Sequence, residues 1–303
     1  MSSVLSDLSQ ELAAAAEKVG SSVVTVHARH RLPSSGIHWR KGVIVTANHT
    51  IRREEDVSVL PHDGKRAAAK LAGRDPGTDL AVLKLDEETS AGVPQFAESS
   101  SLKLGHFVLA LGRTRNASLV ASAGIIGGLG GEYRTWRGGK VDHNIRLDLA
   151  LYPGFSGGPL VNVDGKVLGV NTNGLGRGRA VTLPVSTVNR TVDQLLEKGY
   201  IARPYLGLAM QPVSLPEATR TKLTSGAQGG LMVLHVEPSG PAEKAGIVLG
   251  DVIVELQGKP ALDMEHIRDL LASAKIGDTV KATVVRAGVP VEVALTLGER
   301  PAR

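Results

Sequence analysis

The chain contains no cysteine and very few aromatic residues. Without cysteine, disulfide bonds and thiolate metal sites are excluded, and the composition suits a reducing compartment. Aromatic residues make up 3% of the 303 residues, although 42% of the chain is hydrophobic. Val, Leu, Ile and Ala must therefore fill the interior, and an interior rich in Val favours strands.

The chain also has no large excess of charge of one sign, because it contains 35 Lys and Arg and 30 Asp and Glu, a net charge of +5. The basic residues are scattered, and no basic stripe is interleaved with aromatics, so nucleic acid is not an expected partner. The chain has no Walker lysine and no dinucleotide motif between a strand and a helix, so no nucleotide cofactor is expected. No metal is expected either.

Long apolar runs are absent as well. Residues 1–20 place Leu5, Leu8 and Leu12 at helical spacing, which predicts an N-terminal helical segment. Acidic residues interrupt this segment and no basic start precedes it, so it is interpreted as neither a signal peptide nor a membrane span. The chain as it stands predicts a cytoplasmic protein, but a periplasmic protein whose leader had been removed would look the same.

Short apolar runs separated by turn residues recur from residue 22 to residue 172 and predict a β-barrel or sandwich. The strongest hairpin signal is Asp164-Gly165, which separates two apolar runs. Pro33–Gly36 is interpreted as a turn, and the glycine-rich segments Gly127–Gly131 and Gly174–Arg179 as surface loops. A helix is predicted over residues 186–198, closed by Gly199.

The pattern changes after Pro204. About a hundred residues there predict five or six strands and two helices, which is typical of a small α+β module. A chain of this length is expected to form two domains. We therefore expect a helical segment over residues 1–20, a first domain over 21–199 and a second domain over 203–300.

The segment around Ser156 carries the main chemical signal. The serine lies between glycines, which let the backbone turn sharply and point N–H groups at one spot. A nucleophile and an anion-binding pair of N–H groups are two requirements of acyl transfer, and the third is a base. His49 follows the apolar run 43–47 and Asp79 precedes the run 80–85, so both are anchored by strands and are candidates for base and orienting carboxylate.

Three segments resemble, in the same order, the His, Asp and Ser motifs of trypsin-like serine proteases. They are Val45-Thr46-Ala47-Asn48-His49, Thr78-Asp79-Leu80-Ala81-Val82-Leu83 and Gly154-Phe155-Ser156-Gly157-Gly158-Pro159-Leu160. Asp148 and the segment Gly169–Thr172 resemble the bacterial HtrA/Deg branch. The second module resembles the PDZ domain of that branch, on the segments Tyr205–Leu208, Ala245–Ile247 and Gly250–Ile253.

This resemblance implies a mainly β fold, with a chymotrypsin-like double β-barrel followed by a small α+β PDZ domain. It implies that Ser156 is the nucleophile, that His49 is the general base and that Asp79 orients the imidazole. It also implies an oxyanion hole formed by backbone around Gly154, Phe155 and Ser156. The expected activity is endoproteolysis of unfolded or misfolded polypeptides in protein quality control.

In the PDZ module the resemblance implies that peptide C-termini bind on the loop Tyr205-Leu206-Gly207-Leu208. Ile267 and Leu271 would line the groove, although core packing would explain them as well. A homo-oligomer is left open. Aromatic residues near the N-terminus often hold HtrA trimers together, and this chain has none before Trp39, so a trimer is not predicted.

Two other functions remain open at this point. Phe155 replaces the small polar residue that the family usually has beside the nucleophile, so the chain could be a catalytically impaired scaffold that binds peptides through its PDZ domain. Gly154-Phe155-Ser156-Gly157-Gly158 also fits the G-x-S-x-G elbow of α/β-hydrolases. That fold requires helices between its strands and a histidine after the serine, and here only His235 and His266, both in the second module, follow Ser156.

Overall fold

The computed structural model describes residues 3–29, 32–113, 115–176, 180–223 and 227–299. The chain divides into two compact units, Met1–Ile201 and Ala202–Arg303. In unit 1 the strands close into two antiparallel barrels of six strands each. This is the mainly β double barrel that the sequence predicts.

The first barrel is formed by β1 (Val23–His27), β2 (Ser34–Arg40), β3 (Val43–Ala47), β4 (Ser58–Leu60), β5 (Ala67–Asp75) and β6 (Leu80–Leu85). The second barrel and its β9–β10 hairpin are formed by β7 (Phe107–Arg113), β8 (Leu119–Gly130), β9 (Tyr133–Arg134), β10 (Lys140–Val141), β11 (Asn144–Asp148), β12 (Pro159–Asn162), β13 (Val167–Thr172) and β14 (Val181–Pro184). Aliphatic side chains fill both interiors, and a further cluster around Trp39, Leu111 and Val170 joins the two barrels. The barrels are therefore packed as one body.

Two helices lie against the barrels. Helix α1 (Val4–Gly20) begins at the N-cap Ser3 and buries Ala15 and Val19. At its C-terminal end, Arg113 of β7 donates to the carbonyls of Gly20, Val23 and Ala117, where the helix dipole favours a cation. Burial lowers the pKa of this guanidinium.

The helix predicted over residues 186–198 is confirmed as α2 (Val185–Lys198), with Gly199 in the left-handed conformation at φ +80°. The turn predicted at Pro33–Gly36 is wrong, because Ser34 begins β2. Gly127–Gly130 is not a loop either, because these residues continue β8 in its pairing with β11. Added at Gly127, a Cβ would lie 3.0 Å from the Asp148 Cβ, so glycine permits the close strand packing. Of the second predicted loop, residues 177–179 lie outside the described residues.

Unit 2 is a small α+β module, as predicted. Its elements are β15 (Pro204–Tyr205), β16 (Leu208–Ser214), α3 (Glu217–Arg220), β17 (Gly229–Val236), α4 (Pro241–Lys244), β18 (Val252–Leu256), β19 (Lys259–Pro260), α5 (Met264–Ser273), β20 (Thr279–Arg286), β21 (Val289–Thr296) and β22 (Gly298–Glu299). The main sheet has the order β16-β17-β18-β20-β21, so β16 is an edge strand. Helix α5 lies beside β16 and begins at the N-cap Asp263.

Candidate active site

Strand ends bring His49 and Asp79 together. Ala47 pairs with Leu80 at the end of the β3–β6 ladder, so the residues that follow β3 and precede β6 are neighbours. His49 lies in a 3-10 turn directly after β3, and the Asn48 N–H donates to the Asp79 carbonyl at 2.9 Å. Asp79 itself has a φ of +56°, which is uncommon for a residue with a side chain.

The Asp79 carboxylate holds the histidine in two ways. Its Oδ2 lies 2.7 Å from the His49 Nδ1, and its Oδ1 accepts the His49 backbone N–H at 2.8 Å. The Thr172 hydroxyl also donates to Oδ2. A carboxylate facing Nδ1 assigns the proton of the neutral imidazole to that nitrogen, which leaves Nε2 as an acceptor. His49 is thus oriented to take a proton through Nε2.

Ser156 lies between β11 and β12, with its Oγ within 3.3 Å of the Asn173 N–H that donates to it. The next residue, Gly174, packs on the other pair: a Cβ there would lie 2.8 Å from the His49 Nδ1 and closer still to the Asp79 carboxylate. The adjacent residues Asn173 and Gly174 therefore contact the serine and the His–Asp pair at once. All three predicted catalytic side chains lie at this one segment.

Glycine also permits the serine turn to approach the first barrel. Gly157 has a φ of +90°, and a Cβ there would lie 2.9 Å from the Ala47 nitrogen. A residue with a side chain would push the turn away from β3, which carries His49 at its end. Gly157 thus allows the Ser156 turn to lie close to the strand end that carries His49.

Two backbone N–H groups beside Ser156 are available to an anion. Within the described part of the chain, neither the Gly154 N–H nor the Ser156 N–H donates a hydrogen bond. The Phe155 N–H instead donates to the Tyr152 carbonyl at 3.0 Å, so the sequence prediction that Phe155 joins this site is corrected. Pairs of free N–H groups next to a nucleophile are what a developing oxyanion requires.

The Phe155 side chain is not exposed in the cleft. It is buried in the second barrel's apolar cluster with Leu160 and Leu168, and its ring packs edge-on against Tyr152 at 5.9 Å between centroids. Burial of a phenyl ring stabilises the loop in place of a polar tether. The geometry gives the impaired-scaffold hypothesis no support at this residue.

In unit 2 the predicted peptide loop is placed at the end of the sheet. Gly207 has a φ of +75°, and the carbonyls of Leu206 and Gly207 accept from Ala242 and Glu237. The N–H groups of Leu206 and Gly207 donate to no residue that the structure describes. Leu208 follows at the start of the edge strand β16, so two free donors lead into a free strand edge.

The other predicted groove residues differ in their placement. Ile267 of α5 is 2% exposed, so core packing explains it and the groove assignment is corrected. Leu271 is half-buried against the same core and keeps part of its surface open. Tyr205 pairs with Gly298 in β15–β22 and lines a cavity of about 410 Å³ with Lys244 and Glu299.

Sequence reasoning did not predict the contacts that three residues make at the first site. Thr172 and Asn173 follow one another at the end of β13, and their roles become visible only when β13 is placed beside Asp79 and Ser156. Ser35 lies in the segment Pro33–Gly36, whose composition indicated a turn. Polar residues in a short buried strand have no periodicity that would reveal them.

Among the described residues, no three His, Cys, Asp or Glu side chains are grouped so that they could hold a metal ion. No helix in the described part of the chain is both long enough and apolar enough to cross a membrane.

Each of the two units matches a known protein family. Residues 34–170 match the trypsin-like peptidase domain, and residues 204–297 match the PDZ domain. The chain is 36% identical over 270 residues to the serine protease Do-like HtrA of Lactobacillus helveticus, and the match covers 85% of this chain and 65% of that protein. It is 34% identical to a probable periplasmic serine endoprotease, DegP-like, of Rhizobium meliloti, with 90% of this chain and 54% of that protein covered. The chain thus spans about half to two thirds of the length of these relatives.

Solved structures agree with this comparison. The serine endoprotease of Yersinia pestis matches with a TM-score of 0.69 and 29% identity over 95% of this chain and 97% of that chain. A structure of the HtrA-type protease AlgW with a decapeptide matches with a TM-score of 0.68 and 26% identity, over 96% of this chain and 99% of that one.

Proposed function

Because this chain belongs to the HtrA-type serine proteases, which join a trypsin-like peptidase domain to a PDZ domain, we propose that it is a serine endopeptidase using Ser156, His49 and Asp79. The observation that carries the proposal is the 2.7 Å contact of the His49 Nδ1 with the Asp79 Oδ2 beside the segment that also contacts Ser156. The expected substrates are unfolded or misfolded polypeptides, and the expected setting is protein quality control. The proposed chemistry needs only side-chain and backbone groups of this chain.

The reaction would proceed by acyl transfer. The Ser156 Oγ attacks the scissile carbonyl while the His49 Nε2 accepts the hydroxyl proton. Asp79 stabilises the imidazolium that forms and holds the ring with its Nδ1–H directed at the carboxylate. His49 then gives the proton to the leaving amine. Water takes the place of the amine: His49 removes a proton from it as it attacks the acyl-enzyme, and returns that proton to the Ser156 Oγ as the carboxylic acid product leaves.

The negative charge on the carbonyl oxygen would develop next to the Gly154 and Ser156 N–H groups. Both donors are unoccupied by described residues, so no internal hydrogen bond must break before they bind the oxyanion. Removing one donor from such a site typically costs about 10² to 10³ in kcat.

The test uses a fluorophosphonate probe and unfolded casein. Wild-type protein should form a covalent adduct on Ser156 and cleave the casein, whereas Ser156→Ala and His49→Ala should do neither. Ser122→Ala, a half-buried serine on β8, is the matched control and should behave as wild type. Casein cleavage by Ser156→Ala at the wild-type rate would refute the assignment, and a wild-type protein that never labels would favour the scaffold hypothesis. Rapid ester turnover that survives His49→Ala would revive the α/β-hydrolase hypothesis.

For unit 2 we propose that a peptide C-terminus binds with its carboxylate on the Leu206 and Gly207 N–H groups. The peptide would add as a strand along the free edge of β16, opposite β17, and Leu271 would contact its side chains. AlgW, whose structure contains a decapeptide, is a relative with the same architecture. The support here is the pair of free donors that precede an edge strand.

Fluorescence polarisation with a labelled peptide tests this site. A peptide with a free carboxylate should bind, and the same peptide with an amidated C-terminus should bind at least about tenfold more weakly, since it lacks the charged acceptor. Equal affinities would contradict the proposed loop. Cell fractionation addresses the cytoplasmic location, which stays a prediction because relatives are named periplasmic. Sedimentation would give the oligomeric state.

A further inference from the structure

Ser35 on β2 reaches across to the backbone beside the nucleophile. Its backbone N–H donates to the Gly154 carbonyl at 2.8 Å, and its hydroxyl donates to the same oxygen at 2.7 Å. Ser35 is fully buried and belongs to the first barrel, whereas Gly154 precedes β12 of the second. One side chain of one barrel thus holds the peptide that carries the anion site.

The Gly154–Phe155 peptide is fixed at both of its polar ends. Its oxygen accepts from Ser35 twice, and its N–H, which points in the opposite direction within the peptide plane, donates to the Tyr152 carbonyl at 3.0 Å. With this plane fixed, the direction of the Gly154 N–H depends on the torsions of Gly154 alone. Gly154 has a φ of +102°, a value that glycine alone adopts easily. Because glycine has no side chain, contacts of its backbone must hold this conformation.

The Ser35 hydroxyl is itself oriented by its neighbours. Its Oγ accepts the Arg113 N–H at 2.9 Å, so its own proton is directed to the remaining acceptor, Gly154 O. The Ser35 carbonyl accepts from the Thr46 hydroxyl at 2.7 Å, three residues before His49. The same serine is therefore tied to the strand that positions the base and to the loop that positions the oxyanion donors.

We propose that Ser35 is a positioning residue for the oxyanion site, acting through the Gly154 carbonyl to direct the Gly154 N–H. The inference rests on the proposed function. The loop has no polar side chain beside Ser156, and the Ser35 hydroxyl adds a polar contact from the opposite barrel to the burial of the Phe155 ring. The effect of losing it falls on the transition state, because the oxyanion and not the ground-state carbonyl needs both donors.

The test compares Ser35→Ala, which removes the hydroxyl, with Ser35→Cys, which nearly keeps its volume but donates weakly. Ser34→Ala is the matched control, because Ser34 is equally buried on β2 but its hydroxyl bonds Thr50 and not the serine loop. The readouts are kcat and KM on a short peptide substrate, the pH profile of kcat, and the rate of phosphonylation by a fluorophosphonate. Thermal unfolding of each variant is measured in parallel.

For Ser35→Ala we expect kcat and the phosphonylation rate to fall by about tenfold to a hundredfold, less than direct loss of a donor would cause. We expect KM and the pH profile to stay unchanged, with Ser35→Cys intermediate and Ser34→Ala at the wild-type rate. Loss of folding in Ser35→Ala, whose Arg113 N–H is left unpaired, leaves Ser35→Cys to decide by the same readouts.

Equal rates for wild type and the folded Ser35 variants would overturn the inference alone. A change confined to KM, or an equal loss in Ser34→Ala, would also overturn it, because either result indicates a structural effect of the strand. A wild-type protein that neither labels nor cleaves would overturn the proposed function and this inference with it.

Discussion

Among the described residues, unit 1 and unit 2 each contain one aspartate that is 1% exposed, and the two carboxylates have different bonding partners. Asp251 precedes β18, and Arg286 holds it with two contacts, Nε at 2.9 Å and Nη2 at 2.8 Å. Asp79 accepts from the His49 ring and backbone and from the Thr172 hydroxyl. Among the described residues no Lys or Arg side chain bonds it.

The difference separates a structural carboxylate, Asp251, from the proposed catalytic one, Asp79. A bidentate arginine offsets the charge of Asp251 in the resting fold and ties the loop before β18 to β20. A neutral imidazole leaves the charge of Asp79 uncompensated until the ring takes a proton. The same burial can therefore serve stability in one unit and a reaction in the other, and the partner decides which.

The largest effect should come from Asp79→Asn. The Asn side-chain amide has no negative charge to stabilise the imidazolium of His49. If its NH₂ group faces Nδ1, it favours the imidazole tautomer with the proton on Nε2, which cannot accept a proton from Ser156. We expect kcat on a peptide substrate to fall by about 10⁴, with thermal unfolding little changed. A loss below tenfold would show that Asp79 is a structural residue like Asp251.

Gly174→Ala should have the next largest effect. The added methyl group would lie against the Asp79 carboxylate and the His49 Nδ1 and would displace one of them. Because misplacing a catalytic group by about 1 Å can cost about 10² in rate, we expect a loss of that order. Gly131→Ala, where an added Cβ meets no atom within 4 Å, is the control and should keep the wild-type kcat.

Asp251→Asn should weaken unit 2 without touching the reaction. The change removes the charge facing Arg286 and should lower the free energy of unfolding by about 1 to 3 kcal/mol. Hydrogen exchange of β18 and β20 amides in the full chain would localise the loss, and Asp269→Asn on α5 serves as the control. If Asp251→Asn slowed the phosphonylation of Ser156 as much as Asp79→Asn does, Asp251 and Asp79 would not act independently.

The smallest effect concerns acid. Burial alone would raise the pKa of Asp251, but hydrogen bonds from Arg286 and the Val248 N–H, with the Arg286 charge, lower it overall. A carboxyl whose folded pKa is lowered contributes stability above its unfolded value of about 3.9, and this stability is lost as the pH falls further. As the pH falls below about 4, the melting temperature of unit 2 should therefore decrease, and the decrease should be smaller in Asp251→Asn. Equal slopes would contradict this assignment.

Strand ends explain what the sequence could predict of the site. His49 and Asp79 adjoin strongly apolar runs whose pairing is forced by the barrel, so their proximity follows once the runs are recognised as strands. Ser35 could not be found this way, because Pro33–Gly36 has the composition of a turn although it begins a buried strand. The engagement of the Phe155 N–H depends on the fold of one short loop and leaves no pattern in the sequence. Ile267 fits a groove and a core equally well by spacing alone.

The free edge of β16 carries a hazard as well as a use, since an open strand edge invites copies of the same chain to stack. Pro212 lies in the middle of this strand and has no N–H. The row of N–H donors along this strand is therefore interrupted at Pro212, so the edge has room for a short peptide tail but offers a poor template for an extended fibril.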